Sequence, residues 1–86
     1  MDMTYRIDVR PAAIKALRDI HPRDVPRIRG ALAMLATEPR PPAARPLRGR
    51  DAWRLRIGDY RIIYTIDDDV LVIVVVTIGH RRDVYR

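Results

Sequence analysis

The chain has 86 residues and no cysteine, so we expect a single domain, 1–86, with a small core and neither a disulfide bond nor a thiolate metal site. Seventeen basic residues, sixteen of them arginine, against eleven acidic ones give a net charge of +6, which favours polyanions or an acidic protein as partners. The longest apolar run, 70–78, has nine residues and the N-terminus shows no signal-peptide pattern, so we expect a soluble, cytoplasmic protein without a membrane segment.

The first elements are a strand and a helix. The stretch TYRIDV alternates apolar and polar side chains, which predicts a half-buried strand. Pro11 suits the first turn of a helix. The apolar side of this helix is predicted to hold Ala13, Ile14, Leu17 and Ile20.

A second amphipathic helix follows. Asp24 is a plausible N-cap, Pro26 fits the first turn, and the helix is predicted to end before Pro39. The segment 39–46 holds four prolines in eight residues and is interpreted as a stiff connector without regular structure. The apolar face of the helix comprises Val25, Ile28, Leu32 and Leu35.

The second half of the chain predicts three strands. Period-2 alternation runs from Trp53 to Ile66 around Gly58-Asp59, which favours a type II′ hairpin. After a turn at 67–69, the run 70–78 shows no alternation and is predicted to be central and buried on both faces. The order β-α-α-β-β-β indicates a small α+β domain with a mainly antiparallel sheet and two helices on one face. The helix-facing side of the hairpin would comprise Trp53, Leu55, Ile57, Tyr60, Ile62 and Tyr64.

Three arginines are predicted on the open face, the side of the sheet opposite the helices. In the hairpin Arg56 opposes Arg61, and Arg54 projects on the same face; we call these three residues the arginine cluster. Like charges directly across a ladder destabilise it, so the cluster is either a solvated face or an anion site, for which guanidinium forks suit phosphate oxygens. A turn confined to 67–69 would place Val75 opposite Arg61, leaving Arg81 roughly 20 Å away unless Gly79 bends the chain.

The segment PLRGRDAWRLRIGDYRIIYTIDDDVLVIVVVTIGHRRDVY, residues 46–85, resembles the RelE family of bacterial toxins within the RelE/ParE superfamily. It contains the leucine-arginine-glycine loop, the strand with alternating basic residues, the tyrosine-arginine strand start, the aliphatic strand and the glycine-histidine-arginine ending with a tyrosine. The strand-helix-helix opening agrees with a RelE-like fold.

The resemblance implies the toxin of a type II toxin-antitoxin system, an endonuclease that cuts mRNA in the ribosomal A site. It would need no metal or cofactor, because a ribose 2′-hydroxyl attacks the adjacent phosphate. Arg54 and Arg56 stand where the family often has basic residues near the nucleophile, frequently lysines. Arg61 and Arg81 match arginines that hold the scissile phosphate, and Tyr85 matches a tyrosine that orients or stacks on the nucleotide.

Arginine in place of lysine changes the available proton chemistry. A desolvated lysine can lose its proton, whereas arginine effectively cannot, so Arg54 and Arg56 can stabilise an oxyanion but are poor general bases. We therefore hypothesise that His80 takes part in proton transfer, since imidazole ordinarily titrates near neutral pH, with Tyr85 as the other candidate. The alternatives are that His80 is structural and that Tyr85 packs its ring.

Two other functions remain open. A ParE-like toxin would have the same fold and inhibit DNA gyrase without nuclease activity; it does not need the arginine and tyrosine set, so the presence of that set argues against it. A sheet-based RNA-binding module would stack bases on aromatic side chains, but the predicted open face offers none. That face comprises Arg54, Arg56, Arg61, Ile63 and Thr65.

Either toxin function implies a cognate antitoxin. We expect an acidic, largely helical, RelB-like chain that covers Arg61 and adds apolar contacts to the small core. The ribosome and mRNA are the other expected partners, and the toxin-antitoxin complex is expected to bind operator DNA through the antitoxin.

Overall fold

The computed structural model describes residues 4–80. In chain order its elements are β1 (Arg6–Val9), α1 (Pro11–Asp19), α2 (Val25–Thr37), β2 (Ala44–Pro46), β3 (Trp53–Ile57), β4 (Tyr60–Asp67) and β5 (Val72–His80). The strands form one sheet in the order β1-β5-β4-β3-β2, in which the β1–β5 pair is parallel and the other pairs are antiparallel. Both helices pack on one face of this sheet. The predicted α+β architecture is therefore confirmed, with one additional strand.

The additional strand is β2, which lies in the segment that was interpreted as an irregular connector. Its three residues pair with β3, placing Ala44 opposite Leu55 and Arg45 opposite Arg54. The strand occupies the edge of the sheet, where Pro46 does not interrupt an inner hydrogen-bond ladder. The interpretation of 39–46 as wholly irregular is wrong.

The two helices begin and end close to the predicted positions. Pro11 occupies the first turn of α1, and α2 runs from Val25 to Thr37 before Glu38 at its C-cap. In α1 the core-facing side is centred on Ala13, which is fully buried, whereas Ile14 is 42% exposed. The prediction that Ile14 faces the core is therefore wrong, since the nine-residue helix turns its small residue toward β5.

Strand β5 is an inner strand of the sheet, as the sequence predicted, but only one of its faces is fully buried. It lies between β1 and β4, and β4 occupies the centre of the sheet. Its side chains alternate between buried and half-buried up to Val76, so one face of the strand packs under the helices and the other is partly accessible. The loop before it comprises residues 68–71, with Leu71 at φ 55°, rather than a turn confined to 67–69.

A β-bulge at Val76 then changes the register of β5 against β4. Ile63 pairs with Thr77 and Tyr64 pairs with Val75, so Val76 is the extra residue. The longer loop and the bulge together place Gly79 opposite Arg61. The predicted partner Val75 is wrong by four residues, and Arg81 follows Gly79 by only two positions in the sequence.

Tyr64 is the largest fully buried side chain of the core. Its hydroxyl donates a 2.8 Å hydrogen bond to the carbonyl oxygen of Pro39, which attaches the segment after α2 to the centre of the sheet. Burial raises the pKa of Tyr64 to about 12, so the phenol remains a donor at neutral pH. Trp53, on the same face, is only half-buried, with the Arg40 guanidinium 5.6 Å from its ring centroid.

Within residues 4–80, neither helix combines the length and apolar character needed to cross a bilayer.

Candidate functional site

The hairpin between β3 and β4 determines which side chains share a face. Gly58 has φ 58° and Asp59 has a negative φ, as a type II′ turn requires. The turn pairs Ile57 with Tyr60 and Arg56 with Arg61. Both predictions, the turn and the register of the hairpin, are confirmed.

The arginine cluster lies on the open face. Leu55 and Ile62 of the same two strands are buried in the core under the helices, and alternate residues of a strand point to opposite faces. Arg56 is exposed, Arg54 is half-buried and Arg61 is only 7% exposed. The predicted face is therefore confirmed, but the guanidinium at its centre is largely withdrawn from bulk solvent.

Arg61 lies between one charged neighbour and one neighbour without a side chain. Arg56 is its partner on β3, and Gly79 is its partner on β5. Two residues along β4, and therefore on the same face as Arg61, Ile63 is 2% exposed, so this part of the open face is covered. Arg54 and Arg61 each interact with other groups of the chain. A buried guanidinium next to a like charge is electrostatically costly, and a bound anion would lower that cost.

A fourth arginine extends the cluster, and the sequence analysis missed it. Arg45 on β2 is directly opposite Arg54 and is exposed. The preceding residue of β2, Ala44, is buried on the helix side. Since successive residues of a strand point to opposite faces, Arg45 projects on the open face. Alternation over only three residues was the available signal, and the four prolines of 39–46 obscured it.

His80 does not join the arginines. It pairs with Tyr60 at the end of β5, and the two rings meet edge to face with centroids 5.9 Å apart and an interplanar angle of 86°. Both residues project on the helix side of the sheet, where with Asp19 they line a cleft of about 270 Å³ beside α1. The sheet therefore separates His80 from Arg61, and the role of His80 in proton transfer remains a prediction.

The end of the hairpin is attached to the start of α2 on this same helix side. The Tyr60 hydroxyl donates to Asp24 Oδ2 at 3.2 Å, so the predicted N-cap residue uses its carboxylate for a tertiary contact and makes no side-chain cap. Burial of the phenol is the main cause that raises the pKa of Tyr60, and the hydrogen bond to Asp24 raises it further. A Cβ at Gly58 would lie 3.3 Å from the Arg27 guanidinium. These contacts hold the strand ends that carry Arg56 and Arg61.

Two predicted site residues, Arg81 and Tyr85, lie outside the described residues. In the described part of the chain, no three His, Asp or Glu side chains are grouped in a way that could hold a metal ion.

The chain was compared with known families, proteins and structures. Residues 7–85 match the family model described as the ParE toxin of type II toxin-antitoxin system, parDE. Toxin RelG of Mycobacterium tuberculosis is 32% identical over 87 residues, covering 98% of this chain and 99% of that protein.

Solved structures agree with these matches. The RelE–RelB complex of Pyrococcus horikoshii superposes with a TM-score of 0.83 at 29% identity, covering 93% of this chain and 98% of that chain. A toxin-antitoxin complex from Mycobacterium tuberculosis gives a TM-score of 0.80 at 29% identity, covering 93% and 94%. With the family model, the relative and the fold in agreement, the chain belongs to the RelE/ParE family of type II toxin-antitoxin toxins.

Proposed function

We propose that the protein is a ribosome-dependent mRNA endonuclease, acting in the cytoplasm without a metal. The observation that carries this proposal is the directly opposed Arg56–Arg61 pair on the open face, with Arg54 beside it. Two guanidinium groups held together by the ladder repel each other in the free protein, and both would bind a phosphate placed between them. Such a site stabilises the negative charge that develops on a phosphate under attack.

The reaction consistent with this site is attack by a ribose 2′-oxygen on the adjacent phosphorus. The 2′-hydroxyl loses its proton, the bond to the 5′-oxygen breaks, and that oxygen gains a proton, leaving a 2′,3′-cyclic phosphate. Arg61 would hold the scissile phosphate, with Arg54 and Arg56 near the nucleophile. By the family resemblance, Arg81 would also bind the phosphate and Tyr85 would orient the nucleotide.

A second candidate is inhibition of DNA gyrase, and it is favoured by the family model, whose description names the ParE toxin. The named relative and the two complexes described above are instead of the RelE type. The fold is common to both, so the fold alone does not distinguish them.

The test is purified translation on programmed ribosomes, followed by mapping of the mRNA 3′ ends, in parallel with a gyrase supercoiling assay. We expect cuts in mRNA only when ribosomes are present, ends that carry a cyclic phosphate, and unimpaired supercoiling. Inhibited supercoiling with intact mRNA would replace the proposal by the gyrase function.

The position of His80 leads to a specific expectation for this assay. Because the sheet separates His80 from the arginine cluster, we expect His80→Gln to change the single-turnover cleavage rate by less than the roughly 10²-fold minimum for loss of a general acid or base. Asp19→Asn, in the same cleft, is the matched control for local disturbance. A loss of 10² or more confined to His80→Gln would establish the proton-transfer role predicted from the sequence.

We also propose a cognate antitoxin as partner. The two similar structures named above are toxin-antitoxin complexes, and residues 4–80 of this chain carry thirteen arginines against nine acidic residues. An acidic antitoxin would compete with RNA for the open face and so suppress cleavage, and within the complex it could supply operator DNA binding.

A further inference from the structure

The arginines of the open face form two successive like-charged pairs rather than one. Arg56 opposes Arg61 between β3 and β4, and Arg45 opposes Arg54 between β2 and β3. Directly opposed residues have Cβ atoms about 5 Å apart, so each pair brings two guanidinium stems together. Arg54 and Arg56 are two residues apart on one strand, which separates the pairs by roughly 7 Å along β3.

The side chain of Arg45 is already oriented by the backbone around it. Its Nη1 donates to the carbonyl oxygens of Pro42, at 2.6 Å, and Ala44, at 2.9 Å. Both hydrogens of Nη1 are therefore used, and Nε and Nη2 make no hydrogen bond with residues 4–80. A guanidinium has five N–H donors, so three remain, on the edge that binds phosphate with two parallel hydrogen bonds.

The surroundings of this second pair are cationic. Arg45 is exposed and forms no ion pair within the described residues. The sequences of β2 and β3, ARP and WRLRI, contain no acidic residue. The strands place two acidic residues on the open face: Asp8 on β1, the edge strand farthest from β2, and Asp67 at the opposite end of β4 from Arg61. Negative charge is therefore favoured along β2, β3 and the first part of β4.

We infer that Arg45 and Arg54 form a second phosphate subsite, which binds the backbone of a single-stranded RNA next to the phosphate at Arg56 and Arg61. The spacing of the two pairs corresponds to neighbouring phosphates of one extended strand. Arg45 contacts backbone rather than bases, so it adds affinity and fixes the register of the strand without specifying sequence. The inference rests on the proposed function for the identity of the anion.

The test is binding of a short fluorescein-labelled single-stranded RNA by the full-length chain over a series of salt concentrations. Each phosphate contact to a single strand contributes about 0.7 to the slope of log K against log salt. We expect Arg45→Gln to reduce the slope by about 0.7 and to weaken binding about fivefold near 0.1 M salt. Arg6→Gln is the matched control, because Arg6 is also an exposed open-face arginine, on the other edge strand.

Three results would overturn the inference. These are no salt-dependent RNA binding by the wild type, equal slopes for Arg45→Gln and wild type, and equal losses for Arg45→Gln and Arg6→Gln. Binding of a poly-glutamate peptide is measured in parallel. If Arg45→Gln weakens binding of this peptide but not of the RNA, the inference is also overturned, and Arg45 belongs to a protein interface.

The failure of this inference is distinguishable from failure of the proposed function. Ribosomal cleavage together with an unchanged slope in Arg45→Gln would remove the subsite and leave the nuclease. A reduced slope without any ribosome-dependent cleavage would leave an RNA-binding face and remove the nuclease.

Discussion

Arg61→Ala is expected to lower single-turnover cleavage on programmed ribosomes by roughly 10² to 10³, the usual loss when one donor to a developing oxyanion is removed. The physical reason is the position of Arg61, which is 7% exposed and directly opposite Arg56. A guanidinium in such surroundings acts on a bound phosphate with little screening by water. Growth inhibition on induction should be lost accordingly.

Two further variants make the result interpretable. Arg61→Lys keeps the charge but not the planar fork and should fall between wild type and Arg61→Ala. Arg6→Ala removes an exposed arginine from the same sheet face and should remain toxic. Thermal unfolding shows whether Arg61→Ala is folded. Its stability should change little, because removing the repulsion with Arg56 is stabilising while losing the packing of the Arg61 side chain is destabilising. A folded Arg61→Ala with wild-type toxicity would refute the phosphate site.

Tyr64→Ala is expected to lower the free energy of unfolding by roughly 3 to 5 kcal/mol, as large aromatic truncations in cores do. Domains are stable by only about 5 to 15 kcal/mol, so little folded protein should remain. Tyr64→Phe removes only the hydrogen bond to Pro39 and should cost about 1 kcal/mol. Urea unfolding measures both changes.

Trp53→Ala is the matched comparison for Tyr64→Ala. Trp53 belongs to the same face of the hairpin but is only half-buried, so its truncation leaves a smaller cavity. We expect it to be less destabilising than Tyr64→Ala. The reverse order would mean that the core is centred on β3 rather than on β4.

The sequence predicted those features that depend on local chemistry. Gly58-Asp59 determines a tight turn by itself, and the turn fixes the pairing of Arg56 with Arg61, so the arginine cluster could be located without a structure. Helix α2 was equally accessible, because Ile28, Leu32 and Leu35 recur at helical spacing and all three are buried.

Features that depend on distant contacts could not be predicted in this way. Strand β2 is only three residues long, and its existence depends on pairing with β3. The run 70–78 is almost entirely apolar, so its pattern contains no information on the bulge at Val76. The pairing of Gly79 with Arg61 and of His80 with Tyr60 depends on that bulge and on the longer loop before β5, so it could not be predicted from the pattern either.

The bulge at Val76 also makes the site tolerant of a one-residue change in the length of β5. It lies one residue beyond Val75, where the pairing with β1 ends, so its removal would not interrupt that parallel ladder. Deleting Val76 would join Val75 directly to Thr77, and these two residues already pair with the consecutive residues Tyr64 and Ile63. Residues 77–80 would therefore keep their partners and their faces, with Gly79 still opposite Arg61 and His80 still opposite Tyr60. A one-residue gap at this point in two related chains therefore leaves unchanged the side chains that meet the arginines.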